Sequence, residues 1–135
     1  MGETYFADAW YFIAFSDRYD AHHRQARRLM QRLGGARIVT HEAVFFEVLA
    51  FFSEEGARVR NQAVVTVRDA MQSLEVITPD RNLFLRALDR YAARPDKEYS
   101  LTDCLSMVVM EWRGIRHVLS NDHHFRQEGF LLVNE

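Results

Sequence analysis

Four carboxylates stand where an ordinary core would not tolerate them. Asp8 interrupts the apolar run Tyr5 to Ile13, and Glu47 sits inside the run Val44 to Phe52. Asp103 opens the helical run Leu101 to Trp112, and Asp122 follows the strand-like His117 to Ser120. Acidic side chains are almost never fully buried unless they are paired or bound to a metal. Four of them, each at the edge of an apolar element, suggest one acidic pocket around a hard divalent cation. Mg²⁺ and Mn²⁺ prefer carboxylate and water oxygens. Without a cation, clustered carboxylates repel one another until at least one takes up a proton. One or two such ions, roughly 4 Å apart in two-metal sites, activate a water and stabilise both oxygens of an in-line phosphoryl displacement. The substrate would be a phosphodiester, because the acids need the metal before they can accept an anion.

Each acid also has a plainer reading. Ser100-Leu101-Thr102-Asp103 reads as a capping box, and the helix dipole favours an acid in the first turn. Asp122 reads as a turn residue or an N-cap. Asp8, with apolar neighbours on both sides, and Glu47, mid-helix among aromatics, are harder to explain. A buried Arg partner is the main alternative for Glu47. Glu42 reads as a first-turn charge, Glu54 and Glu55 as a solvated helix end, and Asp17 and Asp20 as loop and cap residues. His22 and His23 are expected to be exposed, and His41 to be a cap or surface residue. His123 and His124 are adjacent, so both cannot serve one metal, and at least one belongs to the surface. Trp10, Phe45, Phe51 and Phe52 read as core or partner groove, and Trp112 as core.

The elements that would position these acids follow from punctuation and periodicity. Residues 4–7 read as a first short strand and 9–15 as a helical stretch. Residues 20–33 read as an amphipathic helix stopped by Gly34-Gly35. Residues 37–40 read as a second strand, followed by a helix that carries Glu47, is capped by Thr40 or His41, and ends near Gly56. A helix over 58–73 places Val59, Ala63, Val67 and Met71 at period four. A third strand over 74–77 is closed by Pro79. The helix over 80–93 carries Leu83, Phe84, Ala87, Leu88 and Tyr91 and is ended by Pro95. Ser100 caps a helix over 101–113 that Gly114 terminates, and strands follow at 116–119 and 130–133. Strands alternating with one or two helices predict a parallel sheet covered on both faces, with right-handed crossovers. In such sheets sites lie beyond the carboxyl ends of the strands, near the switch in strand order. Asp8, Asp103 and Asp122 can reach that edge, and Glu47 lies two turns into the helix after strand two.

With 135 residues, 48% of them apolar and 13% aromatic, the chain suits one domain, 1–135, with a sizeable core. The net charge of -2 argues against a general nucleic-acid coat protein. Positive charge is almost all arginine, Lys97 being the only lysine. Arginine suits bidentate phosphate contacts, although a GC-rich genome gives the same bias. Arg58, Arg60 and Arg68 are weak candidates for such contacts. Cys104 is alone, which leaves no disulfide framework or thiolate site and makes it a small core residue. No segment reaches membrane-spanning length without a charge, and a cytoplasmic location is expected.

Asp8 after a first apolar strand and Glu47 inside an apolar helix resemble the PIN domain family when joined to two further segments. These are Tyr99-Ser100-Leu101-Thr102-Asp103-Cys104-Leu105-Ser106 and Val118-Leu119-Ser120-Asn121-Asp122-His123-His124-Phe125. The last two carry the family pattern most specifically, and the resemblance covers nearly the whole chain. It implies a three-layer α/β/α fold with a five-stranded parallel sheet and a Mg²⁺- or Mn²⁺-dependent endoribonuclease. It implies Asp8, Glu47, Asp103 and Asp122 as metal-site acids, with Ser120 hydrogen-bonding a ligand or a metal-bound water. Among small members the chain looks most like the toxin half of a VapBC-type toxin–antitoxin pair. That implies an RNA substrate and a small antitoxin partner. His123 and His124 depart from the family, which commonly has Arg or Lys followed by a variable residue there.

The segment Val44 to Phe52 is apolar nearly all round, which in a domain this small favours an interface with a second copy, an antitoxin segment, or both. The alternative function is a non-catalytic module binding RNA or protein on the same fold, with the acids as relics. An aspartyl-nucleophile phosphatase would want a second Asp where Trp10 stands, and a Lys. A receiver-type phosphorylation switch fails on the missing Lys as well.

Overall fold

A computed structural model of the chain describes residues 2–134. The five expected strands form one all-parallel sheet: β1 Thr4–Ala7, β2 Arg37–His41, β3 Glu75–Ile77, β4 His117–Leu119 and β5 Leu131–Leu132. Their order is β3-β2-β1-β4-β5. The chain builds outward from β1 to β3 and then returns across the sheet to lay β4 on the other side of β1. The switch in direction therefore falls between β1 and β4, where ligand crevices form in open parallel sheets.

Among the described residues seven helices cover the sheet in a three-layer arrangement: α1 Ala9–Ser16, α2 His23–Arg32, α3 Glu42–Phe51, α4 Ala57–Ser73, α5 Arg81–Ala93, α6 Leu101–Arg113 and α7 His123–Gln127. Helix α1 packs against α2, α3 and α4, and α5 packs against α6. Phe6, Ala7, Val39, Val118 and Leu119 of the inner strands are fully buried. Strands buried on both faces read as continuous apolar runs rather than alternations, as Tyr5-Phe6-Ala7 does.

Helix α6 obeys its sequence signals closely. The Ser100 Oγ accepts from Asp103 N at 3.0 Å, and Asp103 Oδ2 accepts from Ser100 N at 3.0 Å, a reciprocal capping box. Gly114 ends the helix at φ 66°, a left-handed conformation that favours glycine.

Other local expectations fail for identifiable reasons. Helix α2 begins at His23 rather than Asp20, because Asp20 Oδ1 takes the His22 N–H at 2.8 Å and holds a turn ahead of the helix. Helix α3 ends at Phe51, well short of Gly56. His41 is the N-cap residue of α3, as expected, but its side chain makes no capping hydrogen bond. Thr40 Oγ1 donates to Ala7 O at 2.8 Å, tying β2 to β1. His41 is fully buried, with Nε2 2.8 Å from Ser106 Oγ. It is thus a core histidine, and burial pushes its pKa down to about 4.

On α4 the buried line runs through Ala63, Thr66 and Ala70, while Met71 is exposed. A helical period of 3.6 carries a strict period-four row off the core face within three turns. On α5 only Leu83 and Ala87 are buried; Phe84, Leu88 and Tyr91 face outward, and Trp112 on α6 is exposed rather than core. Cys104 is buried, as expected. No helix among the described residues is long and apolar enough to cross a membrane.

Candidate metal centre

Asp8 directly follows β1, and Ser120 directly follows β4. The parallel register pairs Ala7 with Leu119, and Asp8 N extends the ladder by donating to Leu119 O at 3.3 Å. That register sets the next residue of each strand side by side. Ser120 Oγ accordingly donates to Asp8 Oδ2 at 2.8 Å. The same oxygen accepts the Asp122 N–H at 3.0 Å, which folds the β4–α7 loop back over the strand ends. Asp122 then caps α7, its Oδ1 accepting from His124 N at 3.0 Å.

Asp103 reaches the same edge because the 94–100 connection starts α6 there. Its capping box fixes Oδ2 and leaves the carboxylate at the cleft. Glu47 comes from the second turn of α3. Asp8, Glu47, Asp103 and Asp122 all line one cleft, together with Trp10, Ile13, Asp20, Phe51, Glu98, Ser100, Asn121 and His124. The cleft measures about 500 Å³. Capping and cleft-lining therefore coincide at Asp103 and Asp122. The buried Arg partner considered for Glu47 is not there: among the described residues Glu47 makes no ion pair or side-chain hydrogen bond.

The electrostatics are those of crowded, desolvated acids. Burial pushes the Asp8 carboxyl up to about 6, against the lowering effect of the Ser120 hydrogen bond, and Asp103 and Asp122 raise it further. Glu47 rises to about 7, first from burial and then from the charges of Asp8, Asp103 and Asp122. Asp103 is raised by burial and by Asp122, partly opposed by the Ser100 N–H. Charged oxygens gathered with few cationic partners form a donor set that fits a hard divalent ion. The tightest group is Asp103, Asp122 and His124, whose ligand atoms lie within 4.8 Å of one another.

Of the adjacent pair His123 and His124, His124 is the one that enters the cleft. It is half-buried, with Nδ1 3.3 Å from Asp103 Oδ2 and 3.2 Å from Asp122 Oδ1. The signal available was its position, two residues into the helix that Asp122 caps, where it turns back toward the cap. His123 is the surface member of the pair, with its side chain 70% exposed. Asp20 and Glu98, which also line the cleft, carried no local signal. Elsewhere, His23 is half-buried, with Nδ1 2.9 Å from Ala14 O, rather than exposed.

Several solved structures share this fold. VapC20 of Mycobacterium tuberculosis, described as a sarcin-ricin loop cleaving toxin, aligns with a TM-score of 0.86 at 22% identity, over 97% of this chain and 99% of its own. VapBC2 of Rickettsia felis, solved bound to a DNA fragment from its promoter, gives 0.71 at 12% identity, over 97% and 98%. PAE2754 of Pyrobaculum aerophilum gives 0.64 at 16% identity, over 98% and 91%. No curated protein matches the chain. The model of one family, described as PIN domain, matches residues 5–131. That match runs from β1 to β5 and takes in Asp8, Glu47, Asp103 and Asp122 with the segments that carry them, and the chain therefore belongs to the PIN domain family.

Proposed function

We propose that the chain is a metal-dependent endoribonuclease that hydrolyses RNA phosphodiester bonds, the toxin of a toxin–antitoxin pair acting in the cytoplasm. One observation carries this reading. Asp8, Glu47, Asp103 and Asp122 converge on a single cleft at the switch point of the sheet, and burial and mutual repulsion raise Asp8 and Glu47 far above ordinary carboxylates. Acids so placed have no structural use that outweighs their desolvation unless a cation shares the cleft. Family membership supports nuclease chemistry, and the activity described for VapC20 supports RNA as substrate.

Mg²⁺ or Mn²⁺, held by these four acids, would neutralise their charge, accept the substrate's phosphoryl oxygens and make water acidic enough to attack at neutral pH. The protein's own part is preorganisation. Ser120 fixes Asp8 through Oδ2 and the Asp122 backbone through the same hydroxyl, so one side chain aligns the acids of both strand ends. Ser100 fixes Asp103. Trp10, Ile13 and Phe51 give the cleft an apolar wall that strengthens every charge interaction inside it.

The expected single domain spans 1–135, of which Met1 and Glu135 lie outside the described residues. We assign it two protein contacts. The likeness to VapBC2 supports an antitoxin partner. A homodimer is supported by the outer face of α3, where Phe46 is 73% exposed. Phe46 lines an apolar groove with Ala43, Phe84, Leu101 and Leu105, the kind of patch that marks an interface.

The test is cleavage of labelled RNA hairpins, one with the sarcin-ricin loop sequence and one unrelated, with Mg²⁺, Mn²⁺ or EDTA. Metal-dependent cutting by wild type, lost in Asp103→Asn with the fold intact, is the expected result. RNA binding with no cutting under any metal would instead support the non-catalytic module.

A further inference from the structure

We infer that His124 Nδ1 is itself a metal ligand in this cleft, so that the site is a mixed nitrogen–oxygen one that takes Mn²⁺ in preference to Mg²⁺. The inference rests on the reading that the cleft holds a divalent cation, and it adds an atom type that four carboxylates would not supply. In octahedral coordination with bonds of about 2.1 Å, neighbouring ligand atoms sit about 3.0 Å apart and opposite ones about 4.2 Å apart. His124 Nδ1 lies 3.2 Å from Asp122 Oδ1 and 3.3 Å from Asp103 Oδ2, close to the spacing of neighbours. One ligand atom from each of the three residues lies within 4.8 Å of the other two.

The ring is also held in place by packing. It packs edge-on against the Tyr99 ring, centroids 5.4 Å apart. Tyr99 Oη donates to Glu128 Oε2 at 2.9 Å. Glu128 Oε1 is held in turn by Arg90 at 2.7 Å and Arg94 at 2.9 Å. From the other side, α7 is pinned by Phe125, which is fully buried. His123, one residue earlier, has none of this support, and its Nδ1 is 4.0 Å from Asp122 Oδ1. Imidazole suits Zn²⁺, Cu²⁺, Fe²⁺ and Ni²⁺ best; Mn²⁺, at the weak end of the same transition series, still accepts a nitrogen donor more readily than Mg²⁺, which is bound through oxygen and retains its waters. A nitrogen donor among the acids therefore shifts the balance toward Mn²⁺.

The decisive readout is pulsed electron paramagnetic resonance of Mn²⁺ added below one equivalent to the purified full chain. Echo modulation from a directly bonded ¹⁴N is expected in wild type and in His123→Ala, and its absence in His124→Ala and His124→Asn. Calorimetry should show the Mn²⁺-over-Mg²⁺ affinity ratio falling at least tenfold in the two His124 variants. Mn²⁺ bound by wild type with no nitrogen modulation would overturn the inference and leave the cation site standing. Modulation lost in His123→Ala but kept in the His124 variants would overturn it equally. A wild type that binds no Mn²⁺ at millimolar concentration would overturn both the inference and the metal reading beneath it.

Discussion

Replacing Asp8 with asparagine should stabilise the metal-free protein, which is the reverse of what most buried substitutions do. Asp8 is 7% exposed and its carboxyl is raised to about 6, some two units above the usual carboxylate, or about 3 kcal/mol of unfavourable charge burial at high pH. Asparagine removes that charge and keeps an oxygen to accept the Ser120 hydroxyl, although a neutral acceptor is weaker by about 1 kcal/mol. The net gain is about 1–2 kcal/mol at pH 8, which for a domain of this length raises Tm by roughly 3–8 °C. The pH dependence follows from the direction of the shift. Because the folded pKa is raised, the native state keeps a proton that the unfolded chain releases. That contribution is complete below about pH 4 and disappears as pH rises through about 6. The advantage of the variant should therefore be absent at pH 4 and full at pH 8. Thermal melts in EDTA across that range measure it, and the titration of His41, common to both proteins, cancels in the difference. Saturating Mn²⁺ should reverse the order, since ligand at a hundred times its Kd adds about 2.7 kcal/mol to wild type only. A variant that melts lower than wild type in EDTA at pH 8, by as much as at pH 4, would show that the protein already satisfies the Asp8 charge.

His41 predicts a second pH dependence of opposite sign. Its pKa is lowered to about 4, so the unfolded chain binds its proton first and stability falls as pH drops from about 6.5 toward 4, by on the order of 3 kcal/mol. His41→Gln should flatten that part of the wild-type profile in chemical denaturation; an unchanged slope would refute the assignment. On the surface, Phe46→Glu should weaken self-association by at least tenfold in sedimentation while leaving Tm at low concentration unchanged. Equal association would move the dimer contact away from α3.

The strands were legible because each is an apolar run bounded by Gly, Pro or a polar cap, and α6 because its capping box and terminal Gly114 are both local signals. The cleft acids were legible for a related reason: Asp8 and Glu47 are charges inside apolar sequence, and such conflicts between local pattern and burial gather at functional sites. What was hidden depends on tertiary packing. His41 has polar neighbours in sequence and looks like a cap, yet its environment is Ser106, 65 residues away. His124 looks like the twin of His123, and only the turn of α7 over Asp103 separates them. Trp112 is expected in the core because aromatic residues usually are, yet it lies exposed on α6. Glu128, which anchors Tyr99 beside the cleft, lies at a helix end where an acid attracts no notice.

The central claim is that the acid cleft directs a water, through a divalent ion, onto an RNA phosphodiester. End-group analysis of the RNA products tests it most directly. Attack by water that expels the 3′ oxygen leaves 5′-phosphate and 3′-hydroxyl ends, whereas attack by the neighbouring 2′-hydroxyl leaves a cyclic phosphate. The account predicts 5′-phosphate and 3′-hydroxyl ends from wild type with Mn²⁺, and no cleavage in EDTA or by Asp8→Asn. Cyclic phosphate ends, or cleavage that persists in EDTA, would contradict it.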